Sequence, residues 1–312
     1  MMQDKGGIIG SSYTTQIQKV GVIGYGYWGK KLARVFNQLG VLASIVDVDR
    51  ERRKEAKSDY PDIQEITAGT LNLGLDAVAI ATPPETHYEL ASSALESGFH
   101  TFVEKPLATK YSEALELEDL AYKNSLKLHV GHIYLHNPGL TAIPRPRVPF
   151  ELRIRFLNDK GPPSNATKDL LWAAGPHAMS IVCHFLDKPL SCVIQTVKSS
   201  NEMWINLNYE DGTVVVIDIG DYTGVRARTV QIAKRDQIWS FDAARPGEYE
   251  VWTVRGRAII DCGAHKVADY EPLLAECAAF VNGPVLLSAF PALPKESRMG
   301  SDVVNLLERV TF

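Results

Sequence analysis

Val20-Gly21-Val22-Ile23-Gly24-Tyr25-Gly26-Tyr27-Trp28-Gly29-Lys30-Lys31 is a short apolar run that breaks into closely spaced glycines and then takes up helical periodicity. It reads as strand, tight turn and helix. Gly24, Gly26 and Gly29 keep the G-x-G-x-x-G spacing, in which the first glycine permits the turn, the second lets backbone approach a pyrophosphate, and the third lets helix and strand lie close. The helix start then presents unpaired N–H groups and the positive end of its dipole to the phosphates. Tyr27 and Trp28, inside the same turn, are counted with the glycines as cofactor contacts.

Three glycines alone are a weak signal, so the surroundings decide. Leu32, Ala33, Val35, Phe36 and Leu39 supply the apolar face of a helix, Gly40 stops it, and a second apolar run from Val41 to Val46 ends in Asp47. A carboxylate about twenty residues beyond the glycines, at the tip of the second strand, accepts hydrogen bonds from ribose hydroxyls and repels a 2′-phosphate. NAD is therefore expected ahead of NADP. The competing reading, that Asp47 only caps the helix beginning near Asp49, ranks second because the glycine turn stands at the right distance upstream. Arg50, Arg52 and Arg53 keep NADP open as the lesser alternative.

The chain has 312 residues, 45% hydrophobic and 22% charged, enough for two ordinary domains with their own cores. Its formal net charge of −4, without a long basic run, gives no electrostatic case for nucleic acid. Cys183, Cys192, Cys262 and Cys277 are scattered without a C-x-x-C, so neither a zinc site nor a disulfide framework is indicated. Residues 1–16 lack the pattern of a signal peptide, and no apolar run is long enough to span a bilayer. The expectation is a cytoplasmic protein with no membrane partner and a disordered N-terminal tail.

Along the chain, the apolar run Asp76–Thr82 is followed by Pro83-Pro84 and a helix carrying Leu90, Ala91, Ala94 and Leu95. His100–Val103 is the next strand and delivers Glu104-Lys105-Pro106; a helix from about Ser112 to Asn124 leads to the strand Leu126–Gly131. Strands alternating with helices imply a doubly wound parallel sheet that binds ligands at the strands' carboxyl ends, where Lys105 falls. Past Gly131 four prolines break the pattern, and from Phe150 the runs alternate apolar and polar. Leu152, Ile154 and Phe156 form one such face, Met203, Ile205, Leu207 and Tyr209 another, and Asp211-Gly212 is a hairpin signal before Val215, Ile217 and Ile219. The fold class is therefore α/β plus α+β. A tail (1–16) precedes a Rossmann domain (17–137) and a mainly antiparallel open-sheet domain (138–312), whose final helix is available to pack on the first.

The ordered set Gly24-x-Gly26-x-x-Gly29, Ala81-Thr82-Pro83-Pro84 with His87, and Glu104-Lys105-Pro106-Leu107-Ala108 resembles the Gfo/Idh/MocA oxidoreductase family. The resemblance implies that Thr82, Pro83, His87, Glu104 and Lys105 join the cofactor site. It also implies that Lys105, near the nicotinamide and the reacting carbon of a sugar or cyclitol, is catalytic and touches substrate. A positive charge there stabilises the alkoxide that precedes hydride loss. The stretch Leu170–Val182 is expected to be a helix with Pro176 near its start and His177 in its first turn, an imidazole with a pKa within reach of neutrality. Family members acting at C3 of UDP-N-acetylglucosamine or its uronate show a tryptophan, an aspartate and a proline-histidine pair. Trp172, Pro176 and His177 match, so His177 is implied as the proton-exchanging residue and Trp172 as a substrate contact. The aspartate is replaced by Ala173, and the acidic residue after the histidine by Ala178, which weakens the relay; Asp169 is a conceivable substitute.

Gly131–Pro138 resembles the family's passage into the second domain, so His132 and Asn137 are implied as substrate contacts. His129, His132 and His136 cluster, but no carboxylate partner stands at ligand spacing, so no metal is expected. The resulting expectation is an NAD-dependent oxidoreductase acting on a sugar hydroxyl or ketone, plausibly of a UDP-HexNAc type nucleotide sugar, in a homodimer or homotetramer. The alternatives are a cofactor- and sugar-binding sensor or partner protein with impaired turnover, or a reductase of a small imine or free sugar.

Overall fold

The glycine turn sits at the centre of a six-stranded parallel sheet in the order β3-β2-β1-β4-β5-β6. The computed structural model describes residues 16–63, 65–67, 74–147, 149–159, 170–283 and 298–311. The residues before 16, Asp169 and the prolines at 284, 291 and 294 lie outside that set. The strands are β1 (Val20–Ile23), β2 (Leu42–Val46), β3 (Glu65–Thr67), β4 (Ala77–Ile80), β5 (His100–Glu104) and β6 (Leu128–Gly131). Between them run α1 (Tyr27–Gln38), α2 (Arg50–Asp59), α3 (His87–Glu96) and α4 (Tyr111–Lys123). The order reverses direction between β1 and β4, which opens the crevice where such sheets take their ligands. β1 and β4 are buried on both faces, as strands covered by helices above and below must be.

A 3-10 turn at Ile133–His136 and the short helix α5 (Pro138–Thr141) lead out of this sheet. The second sheet has eight strands in the order β14-β13-β12-β11-β7-β10-β9-β8. They are β7 (Glu151–Leu157), β8 (Cys192–Lys198), β9 (Glu202–Tyr209), β10 (Val214–Gly220), β11 (Ala227–Lys234), β12 (Gln237–Asp242), β13 (Glu248–Arg255) and β14 (Ala258–Lys266). All pairings are antiparallel except β7 with β10. Period-2 alternation puts Leu152, Ile154, Ile205, Leu207, Val215 and Ile217 on the buried face, against α6 (Leu170–Phe185). The outer strands β8 and β14 have no such alternation in their apolar residues, and both are largely exposed.

One expectation is corrected. Pro176 is not near the start of α6 but inside it, and His177 lies mid-helix, because the helix already includes Leu170. Proline at that place leaves the Trp172 carbonyl without its i+4 donor. The C-terminal residues also return to the first sheet more fully than a single closing helix. In α7 (Pro272–Asn282), Leu273, Cys277, Phe280 and Val281 belong to the same apolar cluster as β1 and α1. α8 (Met299–Thr311) lies between α4 and α6, where Ser301 N–H and Oγ donate to the Glu118 carboxylate at 3.0 and 2.6 Å.

Candidate active site

Gly24 has φ +91°, and a Cβ there would lie 2.8 Å from the Ala81 carbonyl oxygen; a Cβ on Gly29 would lie 1.7 Å from the Gly24 oxygen. Both positions therefore demand glycine for the reasons the motif suggested. Gly26 is different. A Cβ there would meet only the Arg52 guanidinium at 3.8 Å, so the space beside it is open. Gly26 is the N-cap of α1 with no side-chain cap and no acidic residue in the first turn, which leaves the helix N–H groups free for an anion. Trp28 is half-buried beside them; Tyr27 is exposed, and the Lys31 ammonium lies over both rings at 4.1 and 4.3 Å.

A cleft of about 650 Å³ opens at the carboxyl ends of β1, β2 and β4, lined by Gly24, Asp47, Arg52, Thr82, Pro83 and Thr86 among others. Asp47 is 4% exposed. Its Oδ2 accepts from Tyr25 N at 2.6 Å and its Oδ1 from Asp49 N at 2.7 Å, so both oxygens are oriented and each keeps a lone pair for a further donor. The helix cap is Asp49, whose Oδ1 accepts from Glu51 N and Arg52 N. Asp47 is thereby not needed for capping. Arg52 Nη1 stands 3.6 Å from Asp47 Oδ2, a cation at the edge of the same cleft. The free helix start, the glycine cradle and the oriented carboxylate together fit a dinucleotide.

His87 does not belong with the cofactor contacts. Its Nδ1 lies 2.7 Å from the Pro106 carbonyl oxygen and its Nε2 2.9 Å from that of Thr82, and the ring is 1% exposed. Burial holds its pKa below the usual value, and the neutral ring, with a single N–H, donates to one of these two carbonyls. It braces the loop after β4 against the segment after β5.

Lys105 follows β5 at the same edge of the sheet, one strand beyond Thr82. Its ammonium donates to the Ala173 carbonyl oxygen at 3.0 Å. The position that lacks the expected carboxylate thus still contacts Lys105 through its backbone. Burial lowers the Lys105 pKa, against the opposing pull of Glu104. Glu104 is itself pushed up to about 8, first by burial and then by Glu276.

His177 lies one helical turn beyond Ala173. Its ring is 5.1 Å from that of Tyr134 and 6.2 Å from that of Phe156, and its buried Nδ1 has no hydrogen-bond partner among the described residues. An imidazole titrating near neutrality is not what this setting produces. Burial first, then the charges of Lys105, His132 and Arg228, hold His177 well below its usual pKa. His132 is buried nearby with both ring nitrogens unpartnered and its pKa lowered to about 3 by burial and by His129 and Lys105.

Two other implied substrate contacts have structural neighbours of their own. Asn137 is 5% exposed, and its Oδ1 accepts from Gly139 N at 3.2 Å, capping α5. Trp172 packs between the apolar clusters of the two sheets. Sequence reading missed Arg228 and Tyr134. Arg228 donates to the Leu157 carbonyl at 2.7 Å and lies 5.6 Å over the Phe156 ring. A signal was present: Arg228 shares the β11 parity of Val230 and Ile232, a charge on the buried face.

Residues 18–132 match the model of an oxidoreductase family with an NAD-binding Rossmann fold. A UDP-N-acetylglucosamine 3-dehydrogenase of Acidithiobacillus ferrooxidans is 32% identical over 127 residues, a stretch that spans 39% of this chain and 39% of that relative. A solved structure of the same dehydrogenase superposes with a TM-score of 0.79 at 22% identity, covering 94% of this chain and 96% of the other. A 3-ketoreductase from Actinomadura kijaniata, in complex with TDP-benzene and NADP, superposes with a TM-score of 0.78 at 17% identity, covering 95% and 97%. At such identities the superpositions establish the shared two-domain fold.

Proposed function

We propose that the protein is an oxidoreductase of the Gfo/Idh/MocA family, whose model residues 18–132 match, and that it transfers hydride between NAD and the carbinol or keto carbon of a sugar carried on a nucleotide. The observation that carries this reading is the meeting of Lys105 with α6 at the carboxyl edge of the parallel sheet, beside a cleft shaped for a dinucleotide. Gly24, Gly26 and Gly29 with the start of α1 would hold the pyrophosphate, and Asp47 the adenosine ribose. When bound, the nicotinamide supplies the hydride acceptor or donor.

Lys105 holds the substrate oxygen. Its ammonium stands in a dehydrated setting with a fixed carbonyl partner, so a developing alkoxide meets a preorganised charge rather than reorganising water. His177, whose pKa burial and the Lys105 charge hold low, takes the hydroxyl proton in oxidation and returns it in reduction. The nucleotide-sugar assignment draws on the dehydrogenase and the ketoreductase that share the fold.

A second reading follows from His177 Nδ1, which no carboxylate among the described residues orients. A chain that binds cofactor and sugar without turnover would show that feature too. The deciding experiment incubates the purified protein with NAD and a panel of UDP-sugars, dTDP-sugars and free sugars, following reduced nicotinamide. Turnover with one nucleotide sugar supports the enzyme. Binding of both ligands with no oxidation, and no reduction of the keto-sugar by NADH, supports the second reading.

A further inference from the structure

Glu276 is the most anomalous side chain among the described residues. It lies on α7, is 1% exposed, and neither carboxylate oxygen has a hydrogen-bond partner. An uncompensated buried carboxylate is costly, so something ordinarily accompanies one. Its neighbours are two imidazoles. Glu276 Oε1 is 3.7 Å from His129 Nε2 and 3.9 Å from His136 Nε2, and His129 Nε2 is likewise buried without a partner.

These separations are too long for hydrogen bonds, which run about 2.7–3.2 Å between heavy atoms. They approach the spacing of ligand atoms around a shared ion: bonds of about 2.0–2.1 Å in a tetrahedron put ligand atoms about 3.4 Å apart. One donor atom from each of the three residues falls within a common 4.8 Å limit. The surroundings hold the donors in place. The His129 ring stacks on Phe102 at 5.1 Å and 22°, and Phe280, one turn along α7 from Glu276, closes another side at 6.1 Å.

We propose that His129, His136 and Glu276 bind one divalent transition-metal ion, and that two imidazoles with one carboxylate select zinc. Magnesium and calcium prefer all-oxygen sets, whereas an N₂O set with room for a fourth ligand is ordinary zinc chemistry. The ion joins two adjacent elements, β6 and the 3-10 turn that leaves the first sheet, to α7, which returns to that sheet from far along the chain. Its role is to pin α7 and the interdomain turn to the parallel sheet. The expectation of no metal rested on the lack of a nearby carboxylate, and the fold brings one from the far end of the chain.

The test uses the full chain, purified without a metal-affinity step, stripped with chelator and titrated with Zn²⁺ and with Co²⁺. One equivalent should bind, with a Zn²⁺-dependent rise in the thermal midpoint and the visible absorption of four-coordinate Co²⁺. Outer-shell changes alone weaken zinc sites about 10–100-fold, so Glu276→Gln should weaken binding more than about 100-fold and abolish the midpoint rise. His129→Asn, at the more exposed corner, provides a second variant should Glu276→Gln fail to fold. The exposed Cys262 and His265 are the competing ligands, and a Cys262→Ser/His265→Asn protein should still bind one equivalent. Failure of the wild-type chain to take up zinc would overturn the proposal. So would wild-type affinity in both cluster variants, or loss of binding in the Cys262/His265 control.

Discussion

Gly26→Ala and Gly29→Ala, made side by side, separate the two tasks of the glycine turn. At Gly29 an added Cβ would stand 1.7 Å from the Gly24 carbonyl oxygen, backbone against backbone, while ordinary contact begins near 3.4 Å. The start of α1 and the turn must part by more than an ångström, and strain of this kind costs about 1–3 kcal/mol. At Gly26 the same methyl would meet only the tip of Arg52 at 3.8 Å, and its φ of −80° suits alanine. Replacing glycine by alanine at a compatible φ stabilises by about 0.4–1 kcal/mol through the unfolded chain. The Gly26→Ala protein should therefore melt at or slightly above the wild-type temperature yet lose NADH affinity at least about 30-fold, about 2 kcal/mol, because the methyl occupies the approach of the pyrophosphate. Gly29→Ala should lose both. Calorimetric titration with NADH beside thermal melts gives both readouts, and wild-type NADH affinity in a folded Gly26→Ala protein would refute the placement of the cofactor.

Further predictions concern single side chains. Lys105→Met should lower kcat about 10²–10³-fold with NADH affinity nearly intact, and proton NMR should show the His177 pKa rising toward 6.5 as the neighbouring charge is removed. Asp47→Ser should move the NADH-to-NADPH affinity ratio toward NADPH by tenfold or about that, since one carboxylate repulsion disappears beside Arg52; an unchanged ratio in titrations would count against Asp47 as the ribose ligand. His87→Phe leaves the buried carbonyl that accepts the ring N–H, that of Pro106 or of Thr82, unpaired and should destabilise by about 1–3 kcal/mol in urea melts. Glu118 is pushed up to about 7 by burial, so the folded protein holds a proton there that the unfolded chain releases above about 4.5. The contribution of Glu118 to stability should consequently fall as pH rises from about 4.5 to about 7, by up to about 3 kcal/mol, read as the difference between the wild-type and Glu118→Gln profiles over that range.

Much of the first domain was legible because its signals are local. The turn at Gly24, the helix face Leu32 to Phe36 and the strand ending at Asp47 each depend on neighbours within a few residues. Alternation likewise marked β7, β9 and β10, whose buried parity reaches the core. β8 and β14 escaped notice because most of their side chains face outward, which leaves no apolar period. The helical histidine was found, but its position within α6 was not, since Pro176 suggested a helix start and tertiary packing carried the helix further back.

The sequence by itself determined the wound parallel sheet, the glycine turn at its centre and the place of Lys105 at its edge. Those conclusions rest on spacing, period and the conformational freedom of glycine, all properties of adjacent residues. Only the tertiary structure decided that Ala173 meets Lys105 through its carbonyl, that His87 and Asn137 are braces, and that Arg228 and Tyr134 border His177. It alone brought Glu276 between His129 and His136. Burial, charge and the meeting of distant segments arise when α6, α7 and the second sheet close on the first, and no local pattern encodes them.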